Sequence, residues 1–409
     1  MQRAIVIGAG PAGTASALAL RRAGWEVEVF EAYSASAGLD QGAFLTMAVN
    51  GLNALSAIGI DDAVRDLGFV TRKIRFTSGT GKELGSLPLG PRVDGAPRTV
   101  LRADLYDALR RRALDEGVPV HHGRRLIEAA PGRDRVTAVF DDGTEQAADL
   151  LVGADGLRSR VRELIDPRAP SPRPTGLGNV GALTADVPGV DLSAAAADGD
   201  YRMLWGRRCF FGYAVDPAGE VWWFANPPAS VCLPTDRPSS EVIEDLAALL
   251  DDDDSPAGAI VRATKGRVLR GEQLELPRVP SWQRDRMVLV GDAAHAVSPS
   301  TGQGVSLAWE DAAVLGLHLS HRADPRTAVA AYESARRARV DRVVKWGKRM
   351  GDAKAAGPVA RRIRDVTFPL MTSLGSRPGV VRRQAWLYDH HIDRPADSDA
   401  QGFASRDAA

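Results

Sequence analysis

Cysteine is nearly absent from this chain. Cys209 and Cys232 are the only two in 409 residues, too few for a disulfide framework or a cysteine-held metal cluster, so no metal is expected. That usage fits a reducing cytoplasm, which is the expected location. Net charge is absent too: 52 Lys and Arg balance 52 Asp and Glu, so no global field draws the chain to nucleic acid or an anionic membrane. Lysine is scarce, with Lys73, Lys82, Lys265, Lys345, Lys348 and Lys354 the whole set. The arginine excess reads as codon bias rather than as a binding surface. No stretch reaches the roughly 18 uninterrupted apolar residues of a membrane span. The apolar start, Ala4 to Leu20, is broken by Gly8, Gly10, Pro11 and Gly13, spacing that an export signal lacks. No repeat of 20–50 residues is visible. The length gives two to three domains and a large core.

What the chain does have is three glycine-rich segments. The first, Gly8-Ala9-Gly10-Pro11-Ala12-Gly13, follows a short apolar strand (Arg3–Ile7) and precedes a helix with Ala15, Leu18 and Ala19 at helical spacing. Gly8 allows the tight turn, Gly10 lets a pyrophosphate approach the backbone, and Gly13 lets helix and strand pack closely. Free N–H groups at the helix start would face the phosphates. Glu31 ends the next strand 18 residues after Gly13, at the right distance to accept hydrogen bonds from a ribose diol. This fingerprint leaves NAD and FAD both open.

The second segment, Gly153-Ala154-Asp155-Gly156 with Ser159 and Arg162, also lies between a strand and a helix. By itself it is as well explained by Asp155 capping the helix, with Ser159 and Arg162 on a solvated face. The third decides the cofactor. Asp292 follows the strand Met287–Val290, placed for the hydroxyls of a polyol chain; Pro299 precedes Gly302-Gln303-Gly304, and a helix begins near Val305. Such a helix start, aimed at the pyrimidine edge of a flavin, would stabilise the negative charge of the reduced ring. NAD has no such need. His295 reads as a structural histidine, with no carboxylate or serine arranged as a triad. Asp251 to Asp254 reads as a solvated loop, and Ala396 to Ala409 as a frayed tail.

Further strands are read at Thr71–Ser78, Val118–His121, Val136–Phe140 and Leu150–Val152. Helices are read at Asn50–Ile58, Leu105–Glu116, Arg158–Ile165 and Val242–Leu250. Between Gly181 and Pro227 the pattern becomes an aromatic-rich alternation with a turn at Asp216-Pro217-Ala218-Gly219, the mark of a hairpin in an antiparallel sheet.

These segments, in this order, resemble the single-component FAD-dependent aromatic hydroxylases, the family of para-hydroxybenzoate and salicylate hydroxylases and polyketide-tailoring monooxygenases. The resemblance spans Ala4 to Ala313 and includes the closing Trp386-Leu387-Tyr388-Asp389. It implies an α/β fold in which a Rossmann-type FAD-binding domain (1–71, 98–178 and 277–345) interleaves with an antiparallel-sheet substrate domain (72–97 and 179–276), followed by C-terminal helices (346–409). It implies FAD held by Gly8, Gly10, Ala12, Gly13 and Glu31 at the ADP half, with the Leu126 backbone at adenine. Arg102 and Asp292 would sit near pyrophosphate and ribityl, and Asp155 between FAD and the nicotinamide route. Pro299, Gly302, Gln303, Gly304 and Val305 would lie beside the ring. NADPH or NADH and O2 are the implied co-substrates, acting through a flavin C4a-hydroperoxide on an aromatic or polyketide-like molecule, which is hydroxylated or epoxidised. No side chain is assigned as acid or base.

Tyr201, Trp205, Phe211, Tyr213, Trp222, Trp223 and Phe224 are the candidate pocket wall, about half of them ordinary packing because strand neighbours face opposite ways. Met203 reads as core. Two departures stand out: no arginine between Ala32 and Gln41, and Ser306 where the family often has asparagine. A reductase, oxidase or halogenase on the same scaffold is the alternative, as is a non-catalytic flavin-binding protein. A halogenase would carry a spaced Trp-x-Trp, whereas Trp222 and Trp223 are adjacent. The state expected is monomer or homodimer.

Overall fold

A computed structural model describes residues 1–35, 43–90, 96–321, 324–352, 358–375 and 385–393. The tail after 393 and most of the stretch lacking arginine lie outside them. A six-stranded sheet forms the nucleotide-binding centre, in the order Gln283–Arg284, Met287–Leu289, Leu150–Gly153, Arg3–Ile7, Glu26–Glu31, Val120–His122. Its pairs are parallel except that of the first two strands. The helix Pro11–Arg22 packs on this sheet, as does a three-stranded antiparallel sheet (Leu126–Pro131, Val136–Phe140, Glu145–Ala148) whose Phe140 stacks on Phe30, so the strands are continuous apolar runs: Ala4, Ile5 and Val6 are wholly buried.

The first helix, Pro11–Arg22, has Pro at its opening turn and a small-residue face. A second buried helix, Gly304–Ser320, crosses it so closely that a Cβ on Gly316 would lie 2.9 Å from Ala19 Cβ. That contact brings the two ends of the sequence's glycine motifs together.

The aromatic region forms a seven-stranded sheet in the order Leu269–Glu275, Arg173–Thr184, Val221–Asn226, Phe210–Val215, Tyr201–Trp205, Lys73–Ser78, Glu83–Pro88. The hairpin turn is as read from sequence. Asp216 Oδ1 accepts from the N–H groups of Ala218 and Glu220, and Gly219 takes a φ of 90°. The expected strand Thr71–Ser78 begins two residues later, at Lys73, and joins the large sheet, while the preceding Phe69–Val70 joins a small sheet with Arg98–Leu101 and Phe44–Met47. Thr71, at the break, is buried against Thr99 Oγ1 at 2.8 Å.

Two helices start where a cap or a strand end dictates. Arg102–Asp115 begins directly after its strand, a turn earlier than expected. Arg160–Ile165 begins after Ser159, whose Oγ accepts from Arg162 N at 2.9 Å. The acidic run is not a solvated loop throughout. Asp253 is buried and accepts from Arg207 N at 2.9 Å. It fits because Gly79 and Gly206 have no Cβ there: one would lie 2.3 and 2.4 Å from its two oxygens.

Candidate active site

Gly8 takes a φ of 102°, and a Cβ on it would lie 2.5 Å from Ala154 O. A Cβ on Gly13 would lie 1.9 Å from Gly8 O. These two glycines hold the strand-to-helix turn against the second segment. Gly10 differs: its φ is −71°, and nothing lies within 4 Å of where a Cβ would project. The space beside it opens onto the uncapped start of the first helix, where Ala12 and Gly13 offer N–H groups without intrahelical partners. Glu31 accepts from Ala9 N at 2.8 Å and Tyr33 N at 3.0 Å, leaving lone pairs for a diol. Arg124 N donates to Glu31 O at 2.9 Å, which brings the strand opening at Leu126 to the same corner.

Asp155 Oδ2 accepts from Arg160 N at 2.7 Å and Val161 N at 3.0 Å, so it helps seat that helix. Its Oδ1 has no partner. Burial pushes the carboxyl up, opposed by the Ser159 hydroxyl and those N–H groups. Ser159 and Arg162 are buried rather than solvated. Arg162 donates to Ala293 O at 3.1 Å and to Leu157 O at 2.8 Å, tying the second segment to the third. A Cβ on Gly291 would meet Ala12 Cβ at 2.9 Å, so Asp292 begins beside the start of the first helix. Asp292 is reachable by water on one side and walled by protein elsewhere. That enclosure pushes its carboxyl up, opposed by His295 and Arg102. Arg102 donates to Tyr106 Oη at 2.6 Å while its buried Nε is unpartnered.

The third segment rests on a buried ion cluster that sequence reasoning missed. Asp311 accepts from Gly291 N at 2.9 Å, His295 Nε2 at 2.5 Å and Arg336 Nε at 2.8 Å. His295 is therefore structural, but it does have a carboxylate partner, supplied one helix later. Glu310, fully buried, takes Arg336 and Arg339 at 2.7 Å each and Asn50 Nδ2 at 2.7 Å. Burial would push both carboxyls up, but the arginines, joined by His295 at Asp311, hold them below the usual range. Asn50 also donates to Gln303 Oε1 at 2.9 Å, fixing the turn. The available signal was the pair Glu310-Asp311 inside an apolar helix, which demands buried counter-charges. Ser306 is buried as well; its Oγ accepts from Ala48 N at 3.3 Å, and it packs where Gly51 has no side chain.

Pro299 opens a short turn ending at Gly302, which takes a φ of 59°. Gln303 then precedes a helix whose first N–H groups, on Gly304 and Val305, carry no side-chain cap. Gln303 Nε2 and Ser300 Oγ are buried without partners. Open space at Gly10, Gly156 and Gly302, with unpartnered Arg102 Nε, Asp155 Oδ1 and Gln303 Nε2, fits an extended cofactor bearing phosphates, hydroxyls and a carbonyl-rich ring. Among the described residues no cluster of three His, Cys, Asp or Glu could hold a metal.

The aromatic wall needs correcting. Phe211, Tyr213 and Trp223 pack with Leu204, Val215 and Val221 against the helices Ser239–Leu250 and Ala257–Ala263. They lie on the far face of the sheet, and strand alternation explains the error. Tyr201 and Trp205 lie on the opposite face, with Trp222 and Phe224. Met203, read as core, is half-buried on this face. Tyr201 Oη is 3.1 Å from both Thr46 Oγ1 and Thr99 Oγ1, binding this face to the small sheet that leads into Arg102.

This fold and cradle define a flavoprotein built on the para-hydroxybenzoate hydroxylase plan. The chain belongs to the family described as "FAD binding domain", which matches residues 1–347. It is 31% identical over 355 residues to the aurachin C monooxygenase/isomerase of Stigmatella aurantiaca, covering 85% of this chain and 88% of that protein. It is also 31% identical over 356 residues to an FAD-dependent urate hydroxylase of Klebsiella pneumoniae, covering 85% and 89%. The solved structure of Klebsiella pneumoniae HpxO with FAD and uric acid superimposes with a TM-score of 0.82 at 26% identity, covering 95% of this chain and 97% of that one. The protein is thus a flavin monooxygenase that binds FAD.

Proposed function

We propose that the protein inserts one atom of O2 into a flat aromatic or polyketide-like molecule at the expense of NAD(P)H, by hydroxylation or epoxidation. For hydroxylation the balance is RH + O2 + NAD(P)H + H+ giving ROH + H2O + NAD(P)+. FAD supplies the redox chemistry, taking hydride from the nicotinamide and activating oxygen. The chain's own residues bind and shield. The N–H groups of Ala12 and Gly13 hold phosphate, Glu31 and Asp292 take hydroxyls, and Arg102 offsets phosphate charge. The helix start at Gly304 and Val305 stabilises negative charge at the pyrimidine edge, and the apolar sheet face keeps water from the oxygenating centre.

The observation that carries this reading is the juxtaposition of that uncapped helix start, beside the Asp292 turn, with an apolar sheet face joined through Thr46 and Thr99 to the strand leading into Arg102. FAD-loaded protein incubated with 18O2, NAD(P)H and candidate substrates is expected to give product carrying one labelled oxygen. Hydrogen peroxide release with no labelled product from any substrate that stimulates NAD(P)H oxidation would instead assign the reductase or oxidase alternative. This cradle serves either chemistry, so the label decides.

A further inference from the structure

We infer that the substrate cleft selects uncharged ring systems, with Met203 and Phe224 as its stacking floor; this deepens the reading above and rests on it. On the face of the large sheet turned toward the small sheet, the strands Tyr201–Trp205, Phe210–Val215 and Val221–Asn226 present no ionisable group except the Tyr201 phenol, which is held by Thr46 and Thr99. Arg75 and Arg202 point the other way. Arg75 pairs with Asp198 and Asp200, and Arg202 pairs with Asp198. Among the described residues two charged groups reach the rim, and both are already engaged. Arg364 lies over the Trp205 ring at 4.7 Å with its Nε and Nη2 on Asp365, and Glu220 accepts from Trp222 Nε1 at 3.0 Å. Arg102, the cation at the far end, faces Asp292 and the cofactor cradle.

The floor itself depends on a missing side chain. A Cβ on Gly212 would lie 2.6 Å from both Met203 Sδ and Phe224 Cε1, so the thioether and the ring lie flat across that glycine. Both are half-buried, hence partly open to the cleft, and Phe44 stands edge-on to Phe224 with ring centres 6.2 Å apart. Such a surface stacks on a planar apolar ring. Among the described residues it gives a carboxylate no counter-charge, and a buried unpaired anion is strongly disfavoured. A separate depression of about 260 Å³ lined by Phe69, Arg72 and Asp198 shares no residue with this floor.

The test uses isosteric pairs that differ in charge: 3-hydroxybenzamide against 3-hydroxybenzoate, and 2-naphthamide against 2-naphthoate. Each is titrated into the FAD-loaded full-length protein without NAD(P)H, and binding is read from the flavin absorbance difference spectrum. In both pairs the amide is expected to bind at least about tenfold more tightly, a difference of about 1.4 kcal/mol. Met203→Arg is expected to reverse the preference at unchanged FAD content, and Gly212→Ala to weaken 2-naphthamide by displacing Met203 and Phe224. Carboxylates that bind as well as the amides, or amides that do not bind, overturn the inference. So does a Met203→Arg protein that keeps both FAD and the amide preference. If Met203→Arg does not fold, the native pairs and Gly212→Ala still decide. Because the readout is equilibrium binding, loss of labelled-oxygen incorporation would remove the proposed activity while leaving this preference standing.

Discussion

Gly10 and Gly13 stand three residues apart in one motif, yet the structure gives them opposite reasons to lack a side chain. At Gly10 the backbone (φ −71°, ψ 179°) suits any residue, and a Cβ would meet nothing within 4 Å. Gly10→Ala should therefore leave the apo fold nearly unchanged. Reduced chain entropy in the unfolded state contributes about 0.4–1 kcal/mol, offset by alanine's poorer fit at a helix N-cap, about 0.5 kcal/mol. At Gly13 a Cβ would sit 1.9 Å from Gly8 O, more than 1 Å inside ordinary contact, against backbone that cannot rotate away. Opening that joint is overpacking of a core, worth about 1–3 kcal/mol or more. FAD affinity should behave differently, because on the proposed reading the space beside Gly10 is where the pyrophosphate approaches. Gly10→Ala should weaken FAD at least tenfold, about 1.4 kcal/mol, while Gly13→Ala should lose affinity mainly by losing fold. Thermal unfolding of the apoprotein and titration of flavin fluorescence separate the two. A Gly10→Ala protein that binds FAD like the parent would refute the assignment of that space to the cofactor.

Three further outcomes follow from the buried charges. Arg336→Met removes a partner of both Glu310 and Asp311 in a fully buried site, and should cost about 3–5 kcal/mol, read as a lowered unfolding midpoint of the FAD-bound protein; a loss below about 1 kcal/mol would mean the cluster is wet. Glu310 and Asp311 ionise below the usual range, so their contribution is complete above the unfolded carboxylate range and is lost as pH falls below about 4; acid unfolding should shift toward neutrality in Glu310→Gln, and an unchanged acid midpoint would contradict this. Asp292 is shifted the other way, so its charge opposes the apo fold once pH rises past the usual aspartate value. Asp292→Asn should stabilise the apoprotein at pH 7 but not at pH 3, while weakening FAD; tighter FAD binding would count against its role as a hydroxyl acceptor.

The strand-to-helix turn was legible because its constraints are local. Gly8 and Gly13 are required by a turn and a backbone contact that the motif itself contains, and the parallel strands announce themselves as unbroken apolar runs. The sheet faces were less legible. Strand alternation sorts Tyr201 from Phe211 and Trp223 only when the register and the helix-covered side are known, and that side is set by Ser239–Leu250, far along the chain. Both faces carry tryptophan, so composition gave no vote. Asp253 failed for a related reason: its Oδ1 accepts from Arg207 N and its side chain fills space that Gly79 and Gly206 leave, none of it visible in four consecutive aspartates.

The ion cluster shows why such long-range pieces matter to chemistry. A helix start can steady negative charge on a ring only if nothing close behind it cancels its positive end. Two carboxylates in the second turn of that helix would do so if left bare. Here Glu310 and Asp311 are matched by Arg336 and Arg339, with His295 and Gly291 N on the remaining oxygen, so the cluster adds little net field. Its hydrogen bonds instead fix position: Asp311 holds the Asp292 turn from below, and Glu310 holds Gln303 through Asn50. Arg339 also donates to Trp386 O at 2.7 Å and Leu387 O at 3.2 Å, so the segment Trp386–Leu387 is fastened to the same carboxylate that sets the Gln303 turn. Neutral charge and rigid geometry are both needed there, and a hydrophobic filling of the same volume would supply only the first.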